Sequence, residues 1–366
     1  MPAKLNLNIS NIFNHRLSKR LNFGLELNSS VQLLLTEIDN YKGQWVGSKS
    51  LSGQFLKRLN QSIIASSTGA STRIEGSKLN DEEVERLIKD GKLRKISTRD
   101  QQEVVGYFEI LETVFENYSE VKLSERSIKQ IHSILLKYSE KDNRHRGGYK
   151  LQSNQVVAID NDNKVVGVIF DPATVEETPR MMTELVEWAN EGLESKVIHP
   201  LLIISSFIFE FLSIHPFKDG NGRASRILTN LILLQNGYDF TKYVSHEKLV
   251  EEDKANYYIS LRKSSAGWNT DQENISDWVV FILNIFKNQA KQAVALLNSE
   301  NTEVFLSDTQ TIIWNLFEPE KTLSRSQIFE LTNIPLSTIE HSIKKLVSMK
   351  KLVIIGEGRS RRYRKD

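Results

Sequence analysis

Apolar residues recur at helical spacing along most of the chain. Val31, Leu34, Leu35 and Ile38 fall three or four positions apart, which predicts a helix with one buried face. The same spacing predicts further helices at 53–67, 80–93, 100–117, 123–136, 252–264 and 278–297, and one more in the segment after residue 172. We therefore expect a mainly α fold.

Two nearly continuous apolar runs lie near the middle of the chain. Residues 201–214 read LLIISSFIFEFLSI and residues 227–235 read ILTNLILLQ. Runs that are apolar on every side predict buried helices, and Asn236-Gly237 closes the second one as a helix C-cap. The longer run is too short to span a membrane and contains Glu210. A polar loop therefore lies between two buried helices.

Two segments depart from the helical pattern. Residues 144–171 carry alternating and β-branched positions around a DNDNK turn, which predicts a β-hairpin that pairs 152–159 with 164–170. The first 25 residues are polar with scattered apolar positions, and we expect an arm or a strand-like lead-in there.

The last sixty residues have a compact pattern of their own. Short helices are predicted at 308–317, 326–331 and 337–349, and strands at 351–355 and 360–364 around a GEGR turn. This order resembles a winged helix-turn-helix. The basic side chains suited to phosphate contacts are Lys344, Lys345, Arg359, Arg361, Arg362 and Arg364. DNA binding is one expectation for this part, and a protein-interaction or dimer module is the other.

The composition narrows the class of protein. The 366 residues are 39% hydrophobic and 26% charged, ordinary values for a globular chain of two or three domains. The chain has no cysteine, so a disulfide framework and a thiolate nucleophile or metal site are excluded. The first twenty residues lack the apolar stretch of a signal peptide. We expect a soluble, cytoplasmic protein without a membrane segment.

The loop at 215–226 reads HPFKDGNGRASR, and ionisable, polar and glycine residues are more concentrated there than elsewhere in the chain. Gly220 and Gly222 let backbone N–H groups approach a ligand closely, and the helix that follows directs its free N–H groups at the same place. Arg223 and Arg226 are three apart, so both can bind phosphate oxygens from one helix face. These features predict an anion cradle.

Two further residues of the loop add chemistry to the cradle. Asp219 supplies the oxygen ligand that Mg²⁺ prefers, and His215 is suited to act as a general base near neutral pH. Each residue alone is typical of an ordinary turn, but a solvated turn needs no such set between two buried helices. The loop therefore predicts a site for a metal-bound di- or triphosphate with a base beside it.

The loop resembles the signature of the Fic family, H-x-F-x-D/E-G-N-G-R-x-x-R, at every specified position. The resemblance implies a Fic-type helical core and a protein adenylyltransferase. Such an enzyme transfers AMP from ATP·Mg²⁺ to a Ser, Thr or Tyr hydroxyl of a target protein or of itself. The implied roles are general base for His215, Mg²⁺ ligand for Asp219, α-phosphate contact for Asn221 and the neighbouring amides, β-phosphate contact for Arg223 and γ-phosphate contact for Arg226.

An earlier segment, 65–80, reads ASSTGASTRIEGSKLN. Ser71 and Glu75 are four apart, and Gly76 can stop a helix. The segment resembles the Fic inhibitory motif, S/T-x-x-x-E-G/N. The resemblance implies that Glu75 pairs with Arg226 and takes the place of the γ-phosphate, since a carboxylate and a phosphate bind a guanidinium alike. The alternative is a Ser/Thr/Gly-rich loop with one solvated glutamate.

The predicted hairpin resembles the Fic flap, which holds a target segment by adding a strand to its edge. It follows Gly148-Tyr149-Lys150, where Lys150 stands in place of a common arginine. The resemblance implies that a protein substrate docks around Gln155 to Ile159, and a plain surface hairpin is the alternative.

Two tyrosines and one histidine outside these motifs also carry expectations. Of the neighbours Tyr257 and Tyr258, one must face the interior. The resemblance implies an aromatic ring near the adenine, for which we select Tyr258. We expect His132 to be a structural histidine rather than a ligand.

The resemblance divides the chain into an N-terminal helical region with the inhibitory motif at 1–100, a Fic catalytic core at 101–297, and the winged helix-turn-helix at 298–366. The ten residues 298–307 read as a linker. A homodimer is compatible with this organisation.

Other functions use the same features. A DNA-binding regulator whose core only senses nucleotide is the non-enzymatic alternative. Transfer of UMP or another nucleotide, and removal of AMP, would use the same loop. A Doc-type phosphotransferase carries a lysine where this chain has Gly222, which argues against that activity. The sequence leaves open the target protein, the oligomeric state and the signal that relieves inhibition.

Overall fold

The computed structural model of the chain describes residues 9–45, 53–90, 96–154, 156–159, 165–297, 306–318, 321–349, 351–356, 358 and 361–365. These residues contain sixteen α-helices and two antiparallel sheets of two strands each. The expected mainly α fold is confirmed. Within the described ranges, no helix has the length and apolar character needed to cross a membrane.

The part before residue 298 contains thirteen of the described helices. They are α1 (Ile9–Asn14), α2 (Arg16–Lys19), α3 (Leu25–Trp45), α4 (Gly53–Ile74), α5 (Asp81–Asp90), α6 (Arg99–Asn117), α7 (Glu125–Leu135), α8 (Thr178–Ser195), α9 (Pro200–Ile214), α10 (Asn221–Gln235), α11 (His246–Glu252), α12 (Lys254–Ser265) and α13 (Ser276–Leu297).

Helix α9 lies at the centre of the fold. Every residue from Leu201 to Ile214 is buried, and α8, α10 and α13 pack around it. Such complete burial follows from the unbroken apolar run, which leaves no face for solvent. Apolar side chains from both sides of residue 100 join one continuous core here. The two helices that flank the polar loop, α9 and α10, are therefore fixed by the interior of the protein.

The expected arm over the first 25 residues is wrong for the described part of it. Helices α1 and α2 form there, and Leu17 is buried in the main core. The buried Arg20 guanidinium donates to the Glu210 carboxylate at 2.6 Å and to the Ser206 carbonyl at 2.8 Å. These contacts tie the N-terminal helices to α9, about 190 positions away in the sequence, and a long-range ion pair gives no local signal.

Helix α4 is longer than predicted. The apolar spacing ends at residue 67, but the helix continues to Ile74 through the Ser/Thr/Gly-rich stretch. Ser67, Thr68, Ser71 and Thr72 are buried there. Small side chains allow α4 to pack closely against α10 and α11, so tertiary packing outweighs their modest helix propensity.

The predicted hairpin is present. Strand β1 (Val156–Ile159) pairs antiparallel with β2 (Val165–Phe170), with Ala158 opposite Gly167. The first strand is shorter than expected. Gln155 and the turn residues 160–164 lie outside the described residues. Among those residues, β1 pairs with β2 alone.

Residues 306–365, called here the C-terminal module, have a separate hydrophobic core. The elements are α14 (Asp308–Asn315), α15 (Arg325–Thr332), α16 (Leu336–Ser348), β3 (Leu352–Ile355) and β4 (Arg362–Lys365). Strands β3 and β4 pair antiparallel, and Leu323 exchanges two backbone hydrogen bonds with Tyr363. The elements follow the predicted order, and DNA binding stays a prediction. Most of the expected linker, 298–305, lies outside the described residues, as does Arg359.

Candidate active site

The loop between α9 and α10 starts and ends with left-handed backbone conformations. His215 has φ 50° and donates its N–H to the Phe211 carbonyl at 3.0 Å, and Gly220 has φ 80° at the N-cap of α10. A left-handed conformation costs a non-glycine residue roughly 1–2 kcal/mol, so surrounding contacts must hold His215 in place. The chain therefore turns sharply at His215 and again where α10 begins.

Asn221 holds the loop from inside. Its side-chain oxygen accepts from the Phe217 N–H at 2.9 Å, and its side-chain nitrogen donates to the Phe217 carbonyl at 2.7 Å. The buried amide is therefore used within the loop, and the predicted α-phosphate contact of this side chain stays a prediction. Phe217 is fully buried.

His132 supports the loop from α7. Its ring stacks on Phe217 with the centroids 3.7 Å apart. Nδ1 accepts from the Gly147 N–H at 2.8 Å, so Nε2 must carry the proton that it donates to the Asp219 carbonyl at 2.9 Å. Burial lowers the pKa of His132 to about 4, which keeps the ring neutral. The residue is a packed, hydrogen-bonded histidine, as expected.

Lys150 supports the loop from the other side. Its backbone N–H donates to the Pro216 carbonyl at 2.8 Å, and its ammonium donates to the Ile214 carbonyl at 3.0 Å. These two carbonyls flank His215 in sequence. Burial lowers the pKa of Lys150 to about 8. Sequence reasoning left the role of this side chain open, because neither contact is local.

His215 has an unusual electrostatic setting. Burial and the Lys150 ammonium lower its pKa to about 4, below the near-neutral value that the residue type alone suggests. The imidazole is therefore neutral at pH 7 and able to accept a proton. Nδ1 is buried, so an incoming group can reach the imidazole only at Nε2.

Arg226 is engaged by the end of α4. Its Nε donates to the Ser71 hydroxyl at 2.7 Å, and its Nη2 donates to the Ser71 carbonyl at 3.0 Å and to the Glu75 carboxylate at 2.7 Å. Burial alone would lower the pKa of Arg226, but the Glu75 carboxylate contributes to raising it above its ordinary value. Ser71 and Glu75, four apart as the motif has them, thus meet one guanidinium.

Gly222 leaves the space that Glu75 uses. A methyl group added at this position would overlap the Glu75 carboxylate and approach the Arg226 guanidinium. A larger side chain there, such as the lysine of Doc-type enzymes, would exclude Glu75 from its observed position. The glycine is thus needed for the close approach of α4 to α10.

Asp219 lies seven positions before Arg226 and contacts two cations. Oδ2 accepts from Arg99 at 2.6 Å, and Oδ1 accepts from Arg223 at 3.2 Å and from the Gly220 N–H at 2.6 Å. Burial would raise the pKa of Asp219, but Arg223 and Arg99 lower it below its ordinary value. The carboxylate is therefore ionised, and its oxygens are suited to act as ligands for a hard metal ion.

The donor set limits what metal could bind. The described ranges contain no group of three or more His, Cys, Asp or Glu residues arranged to hold an ion. A single carboxylate fits Mg²⁺ only where phosphate oxygens and water complete the octahedron. Buried Arg223 Nε and Arg226 Nη1 make no hydrogen bond to the described residues, and such donors suit an absent anion. The residues present therefore fit a magnesium-bound nucleotide.

The segment that carries the loop is similar to known proteins. The model of the Fic/DOC family matches residues 122–233, which run from α7 to α10 and include the whole loop. A Fido domain-containing protein of Dictyostelium discoideum is 32% identical over 125 residues, which cover 33% of this chain and 80% of that protein. The chain belongs to the Fic/DOC family.

One further relative and one solved structure show how much of the chain is similar to Fic proteins. A probable protein adenylyltransferase of Aquifex aeolicus is 30% identical over 131 residues, and the match covers 34% of this chain but only 40% of that protein. The crystal structure of a Fic family protein from Desulfovibrio desulfuricans G20 superposes with a TM-score of 0.59 and 21% identity, over 92% of this chain and 95% of that one. The second similarity supports the fold alone.

The Fic loop also rests on a buried carboxylate that sequence reasoning missed. Glu247 on α11 accepts from the Tyr107 hydroxyl at 2.9 Å, from the Asn230 side chain at 2.6 Å and from the Ser245 hydroxyl at 3.0 Å. The cluster joins α6, α10 and α11 beneath the Arg226 end. No sequence motif marks Glu247, because its partners are far apart along the chain.

The two neighbouring tyrosines divide as expected. Tyr257 is buried, and its ring lies 5.5 Å from that of Trp278. Tyr258 is half-buried, and its hydroxyl donates to the Ile74 carbonyl at 3.4 Å. Tyr258 thus lies beside Glu75 at the end of α4. Its contact with adenine stays a prediction.

Proposed function

We propose that this Fic protein is a protein adenylyltransferase held in a low-activity state by Glu75. The observation that carries the proposal is the pairing of Glu75 with Arg226 directly above Gly222 at the N-terminus of α10. A carboxylate held by a buried guanidinium and next to free backbone N–H groups occupies a position suited to a phosphate.

Each step of AMP transfer has a residue suited to it. The acceptor hydroxyl loses its proton to His215 Nε2 while its oxygen bonds to the α-phosphorus, and the bond to pyrophosphate breaks. The backbone N–H of Gly222, in the first turn of α10, is suited to the charge that develops on the α-phosphate, whereas the Gly220 N–H now donates to Asp219 Oδ1. Arg223 and Arg226 bind the departing pyrophosphate oxygens. Arg226 can do so only after it releases Glu75.

Asp219 is the residue that would hold Mg²⁺. A bound magnesium ion would neutralise phosphate charge and help the pyrophosphate to leave. The same carboxylate now binds Arg99, so the Arg99 contact and a metal contact at Oδ2 exclude each other.

The acceptor is proposed to be a protein. Strand β1 has a partner strand on one edge only, among the described residues, and an extended peptide can pair with such an edge. The Aquifex relative is named a probable protein adenylyltransferase, which supports this substrate class. Adenine is proposed to lie beside Tyr258.

Incubation with ATP labelled at the α-phosphate tests the function. We expect the Glu75→Gly variant to label itself or a partner in a cell extract, and mass spectrometry should find AMP on a Ser, Thr or Tyr residue. His215→Ala in the same background should lose labelling by about 10²- to 10⁴-fold, the usual contribution of a general base. Unchanged labelling in the double variant would exclude the mechanism. In a parallel incubation with ATP labelled at the γ-phosphate, label on protein would instead indicate phosphate transfer.

A further inference from the structure

Helix α16 of the C-terminal module lies against the acidic helix α5. Lys345 Nζ is 3.3 Å from Glu85 Oε2, and His341 Nε2 is 3.7 Å from the same oxygen. Lys345 and His341 are four apart, so they share one face of α16. Burial would raise the pKa of Glu85, but His341, Lys345 and Lys89 lower it to about 2. The carboxylate that holds α16 is therefore charged at neutral pH.

Two more polar contacts fasten the start of the module to the core. The Ser307 hydroxyl donates to the Glu82 carboxylate at 2.7 Å, and Lys248 donates to Asp308 at 3.0 Å. Glu82 is on α5, as is Glu85. Helix α5 contains five acidic and two basic residues, so the module docks mainly against a negatively charged helix.

The boundary between the module and the core is open to solvent in two places. A cleft of about 580 Å³ lies between α4, α5, α6 and the end of α16, with Ile64, Ile88, Phe108 and Met349 among its walls, and Met349 also packs against the main core. A second cleft of about 290 Å³ adjoins α4 and α5 near Ser307. Water therefore reaches the boundary, where the polar contacts can exchange for contacts with another ligand.

The face of α16 that lies against α5 carries side chains suited to binding duplex DNA. In a helix-turn-helix, the second helix of the motif enters the major groove, and α16 occupies that place after α15. The module adds the exposed Arg361 and Arg362, just before and at the start of β4. Duplex phosphates would offer Lys345 and His341 the same charge that Glu85 now supplies.

We propose that α5 is an internal competitor for the nucleic-acid-binding face of α16, so that docking of the module on α5 and binding of duplex DNA exclude each other. Lys345 and His341 exchange one carboxylate for backbone phosphates when the duplex binds. The contact to phosphate carries no base recognition by itself, so the competition applies to duplexes of any sequence.

Release of the module from α5 is also expected to affect the segment that carries Glu75. Arg73, near the end of α4, binds Asp81 at the start of α5 at 2.9 Å and Glu251 of α11 at 2.6 Å. Arg73 is two residues before Glu75. Departure of the module removes the contacts that Glu82 and Glu85 make, which loosens α5 and the segment joined to it. This second step rests on the proposed inhibition by Glu75.

Duplex binding tests the competition without any enzyme activity. Fluorescence anisotropy with a labelled 20-base-pair duplex of mixed sequence is measured at several salt concentrations. We expect Glu85→Gln to bind about fivefold more tightly than the unchanged protein, because it loses a half-buried ion pair of roughly 1 kcal/mol. Lys345→Gln should reduce the slope of log affinity against log salt by about 0.9.

Glu187→Gln is the matched control, because it removes one negative charge from an exposed position of α8, a helix that contacts α9, α1 and α7. Equal affinities of the Glu85→Gln and Glu187→Gln variants would overturn the competition, since net charge alone would then explain the gain. No duplex binding by any variant at 50 mM salt would also overturn it, and would favour an acidic protein as the ligand.

Hydrogen exchange tests the second step. We expect saturating duplex to speed amide exchange in residues 74–90 of the unchanged protein, and to leave α9 protected. Unchanged exchange there overturns the coupling to Glu75 while the competition stands. Absence of AMP transfer in the labelling experiment affects neither readout, so failure of the proposed function is distinguishable from failure of this inference.

Discussion

The two ends of the phosphate site are closed by opposite means. At the Arg226 end, the Glu75 carboxylate from the end of α4 covers a guanidinium, and the Arg226 side chain is only 4% exposed. At the Asp219 end, the Arg99 guanidinium from the start of α6 covers a carboxylate, and the Arg99 side chain is 50% exposed. Each covering group occupies a position where the proposed substrate complex would place its own charge.

Because it is more buried, the closure at the Arg226 end is stronger than the closure at the Asp219 end. Hydrogen bonds to a charged group with little solvent access contribute about 1.5–3 kcal/mol, whereas an exposed ion pair contributes about 0–1 kcal/mol. Arg226 also has Ser71 as a second partner from the same helix, and Arg99 divides its donors between Asp219 and Glu103. We therefore expect control of activity to reside at the Arg226 end.

Of the changes that test the two closures, Glu75→Gly should have the largest effect. Loss of the carboxylate frees Arg226 for phosphate, so we expect the initial rate of labelling with ATP to rise about 10- to 100-fold, the equivalent of one strong charged hydrogen bond. Glu75→Gln keeps the side-chain size but removes the charge. Its labelling rate should lie between that of the unchanged protein and that of Glu75→Gly. Equal rates for all three proteins would show that the Arg226 end exerts no control.

A change beside the base should leave both closures intact. Lys150→Met removes the ammonium that helps to keep the pKa of His215 at about 4. We expect the His215 pKa to rise by about one unit, a tenfold change in the protonation equilibrium, and to stay below 6.5 because burial remains. NMR titration of ¹³C-labelled histidine measures this value, with the resonance assigned by its loss in His215→Ala.

The sign of the resulting pH effect follows from the role of the base. His215 must be neutral to accept a proton, so activity is lost as the pH falls through its pKa, and a higher pKa moves that loss to higher pH. Lys218→Met, at an exposed position in the same loop, is the charge-matched control and should not move the His215 pKa. An equal shift in both variants would contradict the role given to Lys150.

A smaller effect is expected from Ser71→Ala. The substitution removes the hydroxyl that accepts from Arg226 Nε but keeps the Ser71 carbonyl and Glu75 as partners. We expect labelling to increase about three- to tenfold, because one of three contacts is lost. Ser67→Ala, one turn earlier in α4, loses a hydrogen bond to Ser245 and should leave the labelling rate unchanged. Equal increases in both variants would point to a general loosening of α4.

Much of the site could be predicted because its residues are close in sequence. The segment from His215 to Arg226 carries the base, the carboxylate, two glycines and both arginines, and the two apolar runs beside it gave α9 and α10. The match to a family signature then implied a partner for Arg226 from a distant motif. The geometry brings Glu75 to that arginine.

The residues that were missed, or whose role was left open as for Lys150, act over long distances. Lys150, Arg99 and Glu247 hold or cover the loop from separate elements, and no spacing rule connects them to it. Helix α4 runs through a Ser/Thr/Gly-rich stretch because small side chains suit its close packing, which propensity does not reveal. The N-terminal helices likewise depend on Arg20 reaching Glu210.

The smallest expected effect is at the Asp219 end. Arg99→Ala frees Oδ2 of Asp219, so we expect Mn²⁺ to bind about two- to fivefold more tightly in the presence of a non-hydrolysable ATP analogue, as suits an exposed ion pair. Isothermal titration or the relaxation of water protons by Mn²⁺ measures the affinity directly. Arg180→Ala is the control, because it breaks an exposed ion pair with Glu184 on α8 and should leave the affinity unchanged. A gain of a hundredfold in Arg99→Ala would contradict the comparison, since the exposed end would then be closed as strongly as the buried one.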